Sequence, residues 1–392
     1  MKRQALAVVI LFSCGEPAAQ KTPVYAQPTL PQPVASDEAV AATHVDAGVA
    51  SPPDAGNALP SFSGPLPPAK PTTIALSAGD DSPGDKDLAA GDEAFEKGAI
   101  ADAGKRYEAA RIAAPKRAAP LVGLARVRIA KLRIVMDYAE AKGNKEVIAA
   151  VAQLREAVKL DPRFGPAYVE LGRAQLVLGD ADASIGALRD AVRLMPNEAE
   201  AHSALGVALL ATGHGEESAI ELGKAAQLDP GSAARHGNYG TALFMRGRVK
   251  DAVAEYEIRV RLADGDARAH SDLGNALLAT NDVLRAIREL ERAVQIDPKR
   301  ATFHSNLGYA LQIVGKLREA IAEYQEALRL DDKLVNAWVN LATALARDPK
   351  TRPQARAALE RAKKIDPTDP SVKANLAELD DLEKDAGAAP PP

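Results

Sequence analysis

The sequence contains a single cysteine, Cys14, in 392 residues, and aromatic residues make up only 4% of it. One cysteine excludes an internal disulfide framework and any zinc or iron–sulfur site built from several thiolates. So few aromatics argue against large ring-filled cores and for many small helices, in keeping with the abundant alanine. A basic excess is also missing, since 49 Lys and Arg stand against 53 Asp and Glu for a formal charge of −4. No global positive field is available to hold a phosphate backbone, so nucleic acid is not expected as the main partner. Walker-type phosphate loops, HExxH and GxSxG are absent too, so neither an enzyme nor a cofactor, metal or small-molecule substrate is expected. The apolar run near the N-terminus, Ala5 to Phe12, is eight residues long and too short to cross a bilayer.

What is present there is an order of residues. Lys2 and Arg3 precede the apolar run, the charge-then-hydrophobe arrangement of a secretory signal. Leu11-Phe12-Ser13-Cys14 resembles the bacterial lipobox, with Phe12 in place of its usual smaller residue. The resemblance implies a signal peptide over 1–14, acylation of Cys14 and a membrane anchor; Gly15 in place of aspartate implies the outer membrane. A soluble periplasmic form cleaved without acylation is the alternative. Residues 15–83 follow, with 13 of the 27 prolines between Gly15 and Gly84. Without a helical apolar stripe, this stretch reads as a disordered, partly polyproline II tether.

From residue 84 the chain repeats. HSALG begins at His202, HGNYG at His236, HSDLG at His270 and HSNLG at His304, 34 residues apart each time. Pro162, Pro196, Pro230 and Pro298 keep the same phase and close units of two amphipathic helices. The pattern over 84–369 resembles the tetratricopeptide repeat. In the third unit Tyr168, Leu171, Gly172, Gly179, Leu188, Ala191 and Pro196 fall on that family's signature positions. In the seventh, Leu307, Gly308, Leu311, Gly315, Ala320, Tyr324 and Ala327 do so. The resemblance implies an all-α, right-handed superhelical solenoid. Eight units are expected, at about 84–117, 118–164, 165–198, 199–232, 233–266, 267–300, 301–334 and 335–369. A capping helix over 370–386 and a tail over 387–392 complete the chain.

Gly172, Gly206, Gly240, Gly274 and Gly308 recur inside first helices, where glycine costs about 1 kcal/mol relative to alanine. Close approach of the second helix would explain them. The second unit is irregular: Pro115 to Pro162 spans 47 residues, so either its first helix is extended or its inter-helix loop is enlarged. Arg126, Arg128, Lys131 and Arg133 in it read as a solvated charged face.

His202, His236, His270 and His304 take the position where the family usually places a large ring, as Tyr168 and Trp338 do here, and read as packing rings. Equivalent helices lie on the order of 10 Å apart, so the four cannot converge on one ion. Charging them together near pH 6 would be expected to loosen the stack.

A second column lies two residues later, at Asn238, Asp272, Asn306 and Asn340, with Thr241, Asn275, Tyr309 and Thr343 one turn on. Asparagine is a poor helix former, and its primary amide suits it to the backbone of an extended peptide. The family resemblance implies that this face lines a concave groove, and the column resembles the asparagine ladder of the O-linked N-acetylglucosamine transferase superhelix. The earlier units, with Glu170, Arg173, Ala204 and Val207, lack it. Ser271, Asn336 and Asn340 stand where chaperone-tail adaptors of the family need basic residues, so that function is not expected.

The expectation is a lipid-anchored scaffold or assembly factor of the bacterial envelope that binds extended segments of envelope proteins. The layout also resembles pilotins, which assist secretins of the type IV pilus. A groove for cell-wall glycan is the competing class.

Overall fold

The structure is a computed structural model and describes residues 67–70, 73–132 and 139–387. Cys14 and most of the expected tether lie outside the described residues. Among these residues there are seventeen α-helices and no strand.

The helices pair in chain order. Units 1 and 2 are α1 (Asp85–Glu96) with α2 (Ile100–Ala113) and α3 (Ala118–Ala130) with α4 (Lys145–Leu160). Units 3 to 5 are α5 (Gly165–Leu178) with α6 (Ala181–Leu194), α7 (Ala199–Ala211) with α8 (Gly215–Leu228), and α9 (Ala233–Met245) with α10 (Val249–Leu262). Units 6 to 8 are α11 (Ala267–Ala279) with α12 (Val283–Ile296), α13 (Ala301–Ile313) with α14 (Leu317–Leu330), and α15 (Val335–Ala346) with α16 (Arg352–Ile365). The final helix α17 (Pro370–Gly387) lies against α15 and α16 and caps the stack, burying Val372 and Leu379.

Six of the eight pairs close on a glycine, at Gly91, Gly172, Gly206, Gly240, Gly274 and Gly308. A Cβ on Gly172 would stand 2.4 Å from Leu188 Cγ, and one on Gly206 would stand 2.5 Å from Leu222 Cγ. In these the second helix seats a leucine, or in three units a tyrosine (Tyr107, Tyr256 and Tyr324), directly on the first helix's backbone. In units 3 and 4 a buried serine adds a tie across the same contact: Ser184 and Ser218 donate to the carbonyls of Gly172 and Gly206 at 2.7 Å. Cores then run on from unit to unit, since no pair can bury both faces alone.

The irregular second unit does not owe its length to a longer first helix, since α3 ends at Ala130 and α4 begins only at Lys145. Before α4, the Ala139 and Ala141 amides donate to the carbonyls of Leu176 and Val177 at the end of α5, at 3.2 and 3.1 Å. The Asn144 side chain then caps α4 by accepting from the amides of Glu146 and Val147.

Two departures from the sequence reading bear on the site. The end of the expected tether is not a free spacer: Pro67–Lys70 and Thr73–Ala78 run extended against the helices, with Leu76 only 2% exposed. Arg126 is not solvated either. It is 4% exposed and sits among carboxylates.

Candidate functional site: the inner face of the array

First helices of successive units pack on one another, α3 on α5, α5 on α7, α7 on α9, α11 on α13 and α13 on α15, while no comparable contact joins second helices among the described residues. First helices therefore line the inner side of the curve, and every member of the asparagine column sits on one.

The structure divides that column. Asn238, Asn275 and Asn340 are half-buried, and their amides hold no hydrogen bond among the described residues. Asn306 donates weakly to the Ser271 hydroxyl across to α11, at 3.3 Å. Asp272 is committed elsewhere: Arg259 donates to it at 2.6 Å and to Asp266 at 2.9 Å. Thr241 donates to the Gly237 carbonyl and lies 3.1 Å from the Tyr256 hydroxyl. Thr343 is tied to the Val339 carbonyl and to Asn375. Tyr309 is half-buried against the core that runs from unit 4 to α17. The groups without a partner are thus three amides spread over α9, α11 and α15.

The histidines do more than pack. In all four, Nε2 lies 2.9 to 3.0 Å from the backbone carbonyl six residues earlier, at Pro196, Pro230, Asp264 and Pro298. Nδ1 lies 2.6 to 2.7 Å from a glutamate nineteen residues later, at Glu221, Glu255, Glu289 and Glu323. A carbonyl only accepts, so Nε2 carries a proton, and each ring bridges the turn before its unit to the unit's second helix. Tyr168 and Trp338 give one half of the same brace by donating to the carbonyls of Pro162 and Asp332. Burial pulls the His202 imidazole down, but the Glu221 hydrogen bond and the Pro196 carbonyl outweigh it and leave it above its ordinary value. Glu323 raises His304 in the same way. For His202 and His304 this runs against the expectation that protonation would loosen the stack, because their charged rings are the ones the brace holds. The glutamates recur at the same interval of 34 residues, a signal present in the sequence that the reading of the rings passed over.

The N-terminal half of the inner face is floored by buried charge. Arg126 donates through Nε to Glu170 at 2.9 Å; Glu170 also meets Arg173 at 3.4 Å; Arg173 pairs with Glu200. Glu200 accepts from Arg235 at 2.9 Å, and Arg235 donates through Nε to Asp229 at 2.9 Å. Alternating charge thus runs from α3 through α5, α7 and α9. Burial alone would raise the Glu170 carboxyl, but Arg126 and Arg173 hold it below its ordinary value. Burial also pulls the Arg173 guanidinium down to about 10. Nothing in the spacing of these residues announced the network, whose partners come from different units.

Comparison with known proteins agrees with the architecture. A family model described as tetratricopeptide repeat matches residues 146–197, 169–233 and 305–370, and one described as TPR repeat matches 274–312. No curated protein matches the sequence. Among solved structures, a chain of the APC/C hetero-tetramer Cut9-Hcn1 superposes with a TM-score of 0.55 at 16% identity over 77% of this chain, which spans 57% of that chain. PilF of Pseudomonas aeruginosa gives 0.48 at 20% identity, over 56% of this chain and 98% of its own. YrrB, described as a TPR protein with an unusual peptide-binding site, gives 0.40 at 20% identity, over 48% and 97%. The helical pairs over residues 146–233 and 274–370 are tetratricopeptide repeats.

Proposed function

We propose that the chain is a non-enzymatic interaction scaffold of the bacterial cell envelope, holding extended segments of partner proteins along the inner face of units 5 to 8. Repeats of this kind generally present such a concave surface to protein partners. The observation that carries the reading is the set of half-buried amides at Asn238, Asn275 and Asn340, without partners among the described residues and with Asn306 held only by Ser271. A primary amide offers two donors and an acceptor, which matches the backbone of an extended peptide with little regard to its side chains. The envelope location rests on Lys2, Arg3 and the lipobox-like run ending in Cys14.

The test is in-cell photocrosslinking from position 309, at the edge of the column, in the parent and in an Asn238→Ala, Asn306→Ala, Asn340→Ala variant. A discrete envelope protein captured by the parent and lost in the variant supports the reading. Equal capture by both, or capture of glycan in place of protein, overturns it. Membrane association is tested separately by Cys14→Ser, which should release the protein from the membrane fraction.

A further inference from the structure

The other half of the inner face already holds a peptide. Thr73–Ala78 lies on the first three units: the Leu76 and Ser77 amides donate to one Asp92 oxygen at 2.7 and 3.1 Å, and Arg126 donates to the Ile74 carbonyl at 2.9 Å. Pro67–Lys70 lies at units 4 and 5. There the Lys70 amide donates to Asp229 at 3.0 Å, and the backbone of Pro67 to Ala69 passes so close to Gly231 that a Cβ there would meet the Pro67 carbonyl. These contacts read backbone. Of its side chains, the Thr73 hydroxyl donates to Glu96 at 3.1 Å, Ile74 is half-buried, Ala75 exposed and Leu76 buried.

Two features separate this from an ordinary stretch of core. The contacts at Asp229 and Arg126 reach 159 and 52 residues along the chain and involve no secondary structure in the segment. Beneath it lies the floor of alternating Arg and Glu, with Arg235 Nη2 buried and lacking an acceptor among the described residues. A core that never opens gains more from well-packed apolar residues than from buried ion pairs. A floor of charge costs least where water returns when the cover leaves.

We propose that the N-terminal half of the groove is a peptide-binding site. Its resident ligand is the chain's own segment at Pro67–Lys70 and Thr73–Ser77, and it exchanges for an extended segment of another protein carrying two aliphatic residues two positions apart. Asp92, Arg126 and Asp229 take the ligand's backbone, and the Ile74 and Leu76 seats select its side chains. This builds on the reading of the inner face as a peptide surface. It concerns helices α1 to α9, however, so its failure leaves the asparagine half untouched.

The experiment uses the full chain with a specific protease site inserted between Asp80 and Asp81, both exposed and just past the Ala78, Gly79 and Asp80 amides that donate to Asp85. Cutting turns the resident segment into a separate ligand. The probe is a fluorescent peptide of sequence PPAKPTTIALSA, residues 67–78, followed by anisotropy while circular dichroism reports the fold. The helical signal and cooperative melt should survive cutting and dilution, and the probe should then bind. The uncut chain should bind it about a hundredfold more weakly, given a tethered effective concentration on the order of 1 mM against a constant of about 10 μM. A probe with Leu76→Asp should not bind. Loss of the helical fold when the fragment leaves, or a cut fragment that dilution and excess probe fail to displace, would make the segment part of the fold and overturn the proposal. Equal binding by cut and uncut chains would overturn it as well.

Discussion

His304 and Glu323 stand 2.7 Å apart, Nδ1 to Oε2, and join the first and second helices of the seventh unit. With Nε2 on the Pro298 carbonyl, both ring nitrogens donate, so the pair holds a proton that a free imidazole would release.

A stability that rises on mild acidification follows from that pair. The folded-state values of His202 and His304 lie above the ordinary 6.5, so their contribution is full below about pH 6.5 and fades as pH rises through the folded values. The melting temperature should therefore fall between pH 6 and pH 8. In a Glu221→Gln, Glu323→Gln variant it should be lower at pH 6 and nearly flat across that range, as read by calorimetry.

Acid acts in the opposite sense at the other end of the array. Burial pushes the Asp85 carboxyl up, but donation from the Ala78 amide and from Arg117 outweighs it, and Glu170 is likewise held down by Arg126 and Arg173. Depressed carboxyls stabilise above their ordinary values of 3.8 and 4.5, and that stability is lost as pH falls through the folded values. Together with the histidines this puts the maximum of a stability-against-pH curve between about pH 4.5 and 6.5, where denaturant titrations at several pH values should find it.

Arg126→Met should cost about 3–5 kcal/mol, because it leaves the Glu170 carboxylate buried with one partner fewer and the Ile74 carbonyl without its donor. Arg128→Met, two residues on, removes an exposed pair with Glu146 and should cost about 0–1 kcal/mol. Urea unfolding of the two variants measures the difference.

Two glycine substitutions should differ in sign. Gly206→Ala puts a methyl 2.5 Å from Leu222 Cγ and should destabilise by about 1–3 kcal/mol despite better helix propensity. Gly186→Ala, in an exposed position of α6 with nothing within 4 Å, should stabilise by about 0.5–1 kcal/mol. Thermal melts of both variants decide it.

For the asparagine half, hydrogen bonds worth about 0.5–1.5 kcal/mol each mean that the triple alanine variant should lose roughly tenfold to a thousandfold in affinity for its captured partner. Its melting temperature should hardly move, since only Asn306 surrenders a protein contact, and that a long one. Titration of the purified partner against both proteins reads the change.

The repeat was legible because its cause is local to each unit. Gly172 and Leu188 are sixteen residues apart and recur in phase, so the closing contact of the hairpin is written into the period. The histidine brace was half legible: the rings were visible, and Glu221, Glu255, Glu289 and Glu323 recur with them, but a ring at a packing position hides its two nitrogens. What lay out of reach were relations between units. Arg126 finds Glu170 forty-four residues away, with no periodic signal to link them. The segment carrying Ile74 and Leu76 was masked by its composition, since prolines on either side of two aliphatic residues look like linker until a groove is there to receive them.

The chain of alternating charge has a mechanical meaning. Its buried pairs tie α3 to α5, α7 and α9, and Arg259 extends the tie to α11 through Asp272. Farther along, Arg300 pairs with Asp297 and Arg329 with Glu326, each three residues away in its own unit. Removing one member of this chain of charge is therefore felt by the units on both sides of it, because Glu170 and Glu200 are each shared between two arginines.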